Sequence, residues 1–140
     1  MGDNITHKND YFSLEHLQIS SGSNSIPNAV VRIKIKDEII QESAIGDGPI
    51  DAVFNAIERA LNIHPEVESY NVRSVTSGRQ ALGEVLVRIR NSSKSFTGRG
   101  VSTDVIEASA LAYLSALNKK NSYVNEQSNL DDENELIKVS

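Results

Sequence analysis

Two glycine-containing segments, each ahead of a predicted helix, hold the residues best suited to bind a ligand. The first consists of Gly46, Asp47, Gly48, Pro49 and Ile50, and the second of Gly98, Gly100, Val101 and Ser102. Glycine lets another molecule approach the backbone closely, and the free N–H groups at a helix N-terminus favour a carboxylate or a phosphate. Both segments are therefore candidate anion sites, although the same residues also suit a purely structural strand-to-helix turn.

The sequence around these segments argues against nucleotide binding and against catalysis. Residues 46–48 are followed by Pro-Ile-Asp, which departs from GxGxxG, and no Lys-Ser/Thr of a P-loop follows. The chain has no cysteine and only three, widely spaced histidines, so no thiol nucleophile and no metal site is predicted. No nucleophile elbow occurs, and Asp51 and Asp104 suit helix capping. The aliphatic Ile50 and Val101 instead suit a small ligand with one charged end and one apolar end.

The composition predicts one domain without a membrane or nucleic-acid partner. A chain of 140 residues supports a single core. No apolar run approaches the roughly 20 residues that span a bilayer, and no signal peptide follows Met1, so we expect a cytoplasmic protein. Of the net charge of −5, residues 121–140 contribute −4 through five carboxylates and one lysine, which leaves a nearly neutral body.

An internal repeat organises the elements that position the two glycine segments. Three matches share an offset of 56 residues: ISSG at 19–22 with VTSG at 75–78, VRIK at 31–34 with VRIR at 87–90, and ALN at 60–62 with ALN at 116–118. A fourth match, GDG at 46–48 with GRG at 98–100, has an offset of 52. It predicts a shorter strand region and a longer helix in the second copy. Two copies indicate a domain with pseudo-twofold symmetry.

Each copy is predicted to contain three strands and one helix. Apolar and charged residues alternate in VRIK and VRIR, as in half-buried strands, whereas apolar residues recur at helical steps after each glycine segment. The predicted fold is α+β, with duplicated β-β-β-α units whose helices pack on antiparallel sheets. The predicted boundaries are a disordered start at 1–10, unit one at 11–62, a linker at 63–69, unit two at 70–119 and an acidic, mostly disordered tail at 120–140.

Three motifs of the chain resemble the C-terminal regulatory, or dimerisation, domain of 2-isopropylmalate synthase. They are GDGPIDAVFNAIERAL from residue 46, YNVRSVTSGRQALGEV from residue 70 and GRGVSTDVIEASALAYLSALN from residue 98. They occur in the same order as in that family, and the resemblance covers residues 11–119. It implies the same duplicated α+β fold that the internal repeat predicts.

The resemblance implies a regulatory role rather than catalysis by this chain. In that family a TIM barrel, absent from this sequence, condenses acetyl-CoA with 2-oxoisovalerate using a divalent metal, and the regulatory domain binds leucine as feedback inhibitor at a homodimer interface. The resemblance implies effector contacts from both glycine segments, with Tyr70 and Ser74 as further candidates. An isoleucine-sensing domain of citramalate synthase and a dimerisation module without an effector are the alternatives. No cofactor or catalytic residue is expected in this chain itself.

Overall fold

The structure, a computed structural model, describes residues 11–139, with the side chains of all of these except 77 and 132–139. This part of the chain contains, in order, β1 (Phe12–Gly22), β2 (Ser25–Ile35), β3 (Glu38–Ile45), α1 (Pro49–Leu61), β4 (Glu66–Ser77), β5 (Gln80–Asn91), β6 (Lys94–Ser102) and α2 (Val105–Val139). The strands form two antiparallel sheets, β1-β2-β3 and β4-β5-β6. The predicted α+β fold of repeated β-β-β-α units is therefore confirmed. The predicted disordered start at 1–10 lies outside the described residues.

The later elements of the second unit repeat those of the first at an offset of 56 residues. The helices begin at Pro49 and Val105, and the turns after β2 and β5 contain Lys36 and Ser92, both with left-handed backbone (φ 56° and 59°). Sterics allow few non-glycine residues this conformation, so its recurrence at matching positions marks equivalent turns. The predicted shortening of the second strand region is wrong, because GRG lies inside β6 and not in a turn.

The opening strands β1 and β4 are related by 53 residues instead of 56. Each strand contains a β-bulge, at Glu15 in β1 and at Glu68 in β4. Beyond the bulge, Leu17 and Tyr70 occupy equivalent positions, each opposite a buried valine of the neighbouring strand. β4 begins at Glu66, four residues before the predicted start of unit two. The bulge interrupts the alternation of apolar and polar residues, which hid this part of the strand in the sequence.

One apolar core connects the two units. Its fully buried members from the strands and helices are Ala29, Val31, Ile33, Ala52, Val53, Ala56, Ile57, Val85, Val87, Ile89, Ala108, Ala110, Ala112, Tyr113 and Ala116. α1 packs on β2 and β3, and α2 packs on β5 and β6. The helices meet at Phe54 and Tyr113, whose ring centroids are 4.3 Å apart. The Tyr113 hydroxyl donates a hydrogen bond to the Glu58 carboxylate at 2.7 Å, which ties the two helices together.

The two helices end differently although both contain Ala-Leu-Asn. α1 ends because Asn62 adopts left-handed backbone (φ 54°) and Pro65 follows. The equivalent Asn118 stays helical, and its amide group bonds both the N–H (2.8 Å) and the C=O (2.9 Å) of Phe12 in β1. No glycine or proline occurs from residue 105 to 139, so nothing interrupts α2 before Val139. The structure therefore differs from the predicted mostly disordered tail at 120–140. No helix among the described residues is long and apolar enough to cross a membrane.

Candidate functional site

The first glycine segment forms the N-terminal turn of α1, and its hydrogen bonds leave this helix end open. Gly48 is the N-cap residue, and no side chain caps the helix. Pro49 has no N–H, so the N–H groups of Ile50 and Asp51 are the donors that this end presents. The Asp51 carboxylate turns back and accepts a hydrogen bond from the Asp47 N–H at 2.9 Å. The turn is therefore held together while the two helix donors point outward.

The two glycines of this turn have different physical roles. A Cβ on Gly46 would collide with the backbone of Ala52, so Gly46 permits the close passage of the chain past α1. The Gly46 N–H also donates to the Pro27 carbonyl at 3.1 Å. At Gly48, by contrast, a Cβ would meet no atom within 4 Å. The backbone at Gly48 is therefore open to the approach of a ligand.

Tyr70 joins β4 to both helices beside this turn. Its ring lies 6.2 Å from that of Phe54 in α1, and its hydroxyl lies 2.7 Å from Ser109 Oγ in α2. Ser109 donates its own proton to the Val105 carbonyl at 2.7 Å, so the Tyr70 hydroxyl donates to Ser109. Tyr70 is still 36% exposed. The hydroxyl of Tyr70 is therefore fixed by a hydrogen bond, whereas part of its side chain remains exposed to solvent.

The side of β4 that faces the helices carries an uncovered apolar row. Val67, Tyr70 and Val72 are 38%, 36% and 46% exposed. Their equivalents in β1 are partly buried against the core, namely Leu14, Leu17 and Ile19. Ser74 follows on the same face of β4, is exposed, and pairs with Gly83. The structure therefore brings Tyr70 next to α1 and leaves Ser74 further along an open strand.

The second glycine segment lies in β6 and does not form the predicted helix-opening turn. A Cβ on Gly98 or Gly100 would collide with backbone atoms of α2, at Ala108, Ala112 and Ala116. These glycines are therefore required for close packing of strand on helix, which Gly-x-Gly suits as well as it suits a turn. Val101 lies on the opposite face of the sheet, paired with Glu84. Only Ser102 of this segment reaches a helix N-terminus.

The N-terminus of α2 is capped by its own side chains. Asp104 Oδ1 accepts a hydrogen bond from the Ile106 N–H at 2.9 Å. The Ser102 hydroxyl oxygen accepts one from the Asp104 N–H at 3.1 Å and donates its proton to the Glu107 carboxylate. The predicted capping role of Asp104 is confirmed. The Ile106 N–H, whose equivalent at Ile50 is open in α1, is thus occupied at α2 by a carboxylate.

A cleft of about 390 Å³ lies between β1 and the N-terminus of α2. It is lined by Leu14, Glu15, His16, Leu17, Ile19, Asp104, Ile106 and Glu107. Because β1 corresponds to β4 and α2 to α1, this cleft is the pseudo-twofold counterpart of the space between β4 and α1. Its three carboxylates repel an anion. The α1 end also carries two carboxylates, Asp47 and Asp51, but its N-cap is a glycine without a capping side chain, so it is the better candidate for a carboxylate ligand.

The outer face of the second sheet contains an ion-pair cluster that the sequence did not reveal. The Glu84 side chain is only 3% exposed and lies between the guanidinium groups of Arg99 and Arg73. Hydrogen bonds from Arg99 and then Arg73 hold the pKa of Glu84 below its ordinary value. On the same face, Glu68 pairs with Arg88 at 3.1 Å and Arg90 at 2.8 Å. The arginines of this face are thus engaged by carboxylates of their own sheet, which disfavours a phosphate-binding role.

Comparison with known proteins connects the chain to one group of sequences. The model of the family described as the LeuA allosteric (dimerisation) domain matches residues 1–121. Among curated relatives, the 2-isopropylmalate synthase of Ruminiclostridium cellulolyticum is 47% identical over 117 residues, which make up 84% of this chain and 23% of that protein.

Two further relatives carry the same name. The 2-isopropylmalate synthase of Thermus thermophilus is 47% identical over 109 residues, which are 78% of this chain and 33% of that protein. That of Crocosphaera subtropica is 40% identical over 128 residues, which are 91% of this chain and 24% of that protein. The chain therefore spans about a quarter to a third of the length of these relatives.

Proposed function

Because the chain belongs to the family of the LeuA allosteric (dimerisation) domain, we propose that it is the leucine-sensing regulatory and dimerisation domain of a 2-isopropylmalate synthase. The names of its relatives support this choice of enzyme over citramalate synthase. In this proposal the condensation of acetyl-CoA with 2-oxoisovalerate, with its divalent metal, belongs to a catalytic part outside the matched region. This chain supplies the feedback control, with L-leucine as effector and a second copy of the chain as partner.

The observation that carries the proposal is the difference between the two helix N-termini of the duplicated fold. At α2, the Asp104 carboxylate caps the Ile106 N–H, Ser102 accepts from the Asp104 N–H, and the neighbouring cleft is acidic. At α1, the N-cap is Gly48, no side chain caps the helix, and a Cβ at Gly48 would meet no atom within 4 Å. A helix end with free N–H groups and a positive dipole end attracts a carboxylate. Of the two equivalent helix N-termini, that of α1 therefore has N–H groups available for an anion.

The surroundings of this helix end suit the other parts of a branched-chain amino acid. We place the leucine carboxylate on the N–H groups of Ile50 and Asp51 and its ammonium near the exposed Asp47 carboxylate. The aliphatic side chain then extends along the α1 face that carries Ile50 and Phe54, which are four residues and hence one turn apart. Tyr70 of β4 closes this side with its ring. Each end of the ligand thus meets chemistry that complements it.

The proposed site adjoins a surface that suits a second copy of the chain. The row Val67, Tyr70 and Val72 is exposed on the face where the equivalent residues of β1 are partly buried. A dimer that covers this row would make the effector site part of the interface. Effector binding would then shift the population of dimer arrangements, which is how one site influences a distant one.

Thermal unfolding with and without amino acids tests the proposal. A ligand that binds only the folded state raises its stability by RT ln(1 + [L]/Kd), so leucine at about 100 times Kd adds about 2.7 kcal/mol. We expect the unfolding temperature to rise with millimolar leucine. A larger rise with isoleucine would move the assignment to an isoleucine sensor, and no rise with either amino acid would contradict the proposal.

The variant Gly48→Asp tests the site itself, because it gives α1 the N-cap that α2 has. Aspartate at an N-cap stabilises a helix over glycine by a few tenths of a kcal/mol, and its carboxylate occupies the donors that the ligand needs. We expect an unfolding temperature equal to or above that of the wild type, with no further rise on adding leucine. Gly48→Ala is the matched control, because its methyl group fits the open space and accepts no hydrogen bond. It should keep a measurable response to leucine.

A further inference from the structure

We propose that Phe54 sets the size of the effector side chain that the proposed site at α1 accepts. This inference rests on the proposed leucine site at the N-terminus of α1 and adds to it the residue that limits its apolar end. Phe54 lies in the helix, outside the glycine turn, and no motif of the sequence singled it out. In the second unit its counterpart, 56 residues later, is the small and fully buried Ala110. The acidic cleft at α2 thus has no equivalent wall.

The ring of Phe54 is held from two sides by tyrosines. Tyr113 of α2 lies at 4.3 Å between centroids with an interplanar angle of 31°, and Tyr70 of β4 lies at 6.2 Å in an edge-to-face arrangement. Each tyrosine is itself fixed by a hydrogen bond of 2.7 Å, from Tyr113 to Glu58 and from Tyr70 to Ser109. A ring in contact with two anchored rings cannot turn aside without breaking an aromatic contact. Phe54 therefore behaves as a rigid wall.

The direction of the bound ligand brings its side chain to this wall. With the carboxylate at the helix N-terminus, we place the side chain along the surface of α1 that carries Ile50 and Phe54. Ile50 and Phe54 follow each other by one turn on the same helix face, and Tyr70 stands beside Phe54. A side chain of leucine length reaches past Ile50, and a longer one meets the Phe54 ring. Phe54 thus limits the length of the ligand side chain.

A rigid wall discriminates between ligands by their excess methylene groups. One methylene group changes affinity in an apolar pocket by about 10- to 200-fold. We expect the wild-type chain to bind L-leucine at least about tenfold more tightly than L-homoleucine, whose side chain is longer by one methylene group. Phe54→Leu shortens the wall and keeps an apolar helix residue. It should weaken leucine binding and bring the two dissociation constants to within about threefold of each other or reverse their order.

Calorimetric titration of the 140-residue chain with L-leucine and L-homoleucine tests the inference. The matched control is Phe96→Leu, the same substitution at a ring of β6 that is 8% exposed and packs near Tyr123. Unfolding in urea shows that both variants are folded at the titration temperature. A reduced leucine preference in Phe54→Leu and an unchanged preference in Phe96→Leu are the expected results.

The outcomes separate this inference from the function on which it rests. If the wild type binds leucine and Phe54→Leu keeps the wild-type preference, Phe54 does not set the size limit, and the proposed effector site stands. If Phe96→Leu changes the preference as much as Phe54→Leu, the effect is a general loss of packing, and the inference is overturned. If the wild type binds neither amino acid, the proposed function fails and the inference fails with it.

Discussion

Replacing Gly100 by alanine should destabilise the fold through a single methyl group. In the structure the new Cβ would overlap the Ala108 carbonyl oxygen and lie 2.7 Å from the Ala112 nitrogen. Both atoms belong to the backbone of α2, which cannot yield as a flexible side chain can, so the whole helix would have to move away from β6. Overpacking of a core costs about 1–3 kcal/mol, and a backbone collision places this variant near the upper end, at about 3 kcal/mol. For a domain of this size, that lowers the unfolding temperature by roughly 10 °C.

Urea unfolding followed by circular dichroism measures the loss, with Gly48→Ala as the matched control. That substitution meets no atom within 4 Å and keeps an extended backbone (φ −155°) that alanine adopts freely. Alanine caps the helix slightly less well than glycine, but it also makes the unfolded chain slightly stiffer. We therefore expect the free energy of unfolding of Gly48→Ala to lie within about 1 kcal/mol of that of the wild type. If Gly100→Ala also stays within about 1 kcal/mol of the wild type, the close packing of β6 on α2 is not as described here.

Three further predictions concern groups that the sequence alone did not single out. Because the pKa of Glu84 is lowered in the folded state, its ion pairs contribute fully to stability at pH values above the ordinary glutamate pKa of about 4.5. This contribution is lost as the pH falls through the lowered pKa of Glu84. The free energy of unfolding, measured in urea between about pH 7 and pH 3, should therefore fall more steeply for the wild type than for Glu84→Gln. Asn118→Ala removes both hydrogen bonds to Phe12 and should cost about 2–3 kcal/mol in the same assay at neutral pH. Tyr113→Phe removes the hydrogen bond to Glu58 and should lower the free energy of unfolding by about 1–2 kcal/mol. This loss should depend little on pH up to about 9, because burial and the nearby Glu58 carboxylate raise the pKa of Tyr113 and keep its hydroxyl protonated.

Much of the fold could be predicted because the two periodicities and the repeat agree. Alternation in VRIK and VRIR and helical spacing after each glycine segment located four of the elements, and the offset of 56 residues connected them. The errors occurred where a pattern has two physical meanings. Gly98 and Gly100 suited both a turn and close strand-helix packing, and only the position of α2 decides between them. The bulge at Glu68 broke the alternation that would have shown the true start of β4.

The glycine turn of the candidate site could be predicted from the sequence, whereas its aromatic wall could not. The Gly48 turn and its open helix end follow from local sequence, because capping involves neighbouring residues. The wall of Phe54 and Tyr70 depends on contacts between residues 16 positions apart in sequence, across α1 and β4. The contrast with α2 also required the structure, because it depends on which side chains reach the N–H groups of that helix. A sequence shows that both ends can be capped, whereas the structure shows that only one of them is.

We propose that leucine binds at the open N-terminus of α1 and not at its capped counterpart. Titration of the ¹⁵N-labelled chain with L-leucine, followed through the backbone amide signals, tests it most directly because the donors themselves are observed. We expect the largest shifts at the amides of Ile50 and Asp51, with smaller shifts at Tyr70 and Phe54 and none at Ile106. Shifts centred on Ile106 and β1, or no shift at millimolar leucine, would contradict it.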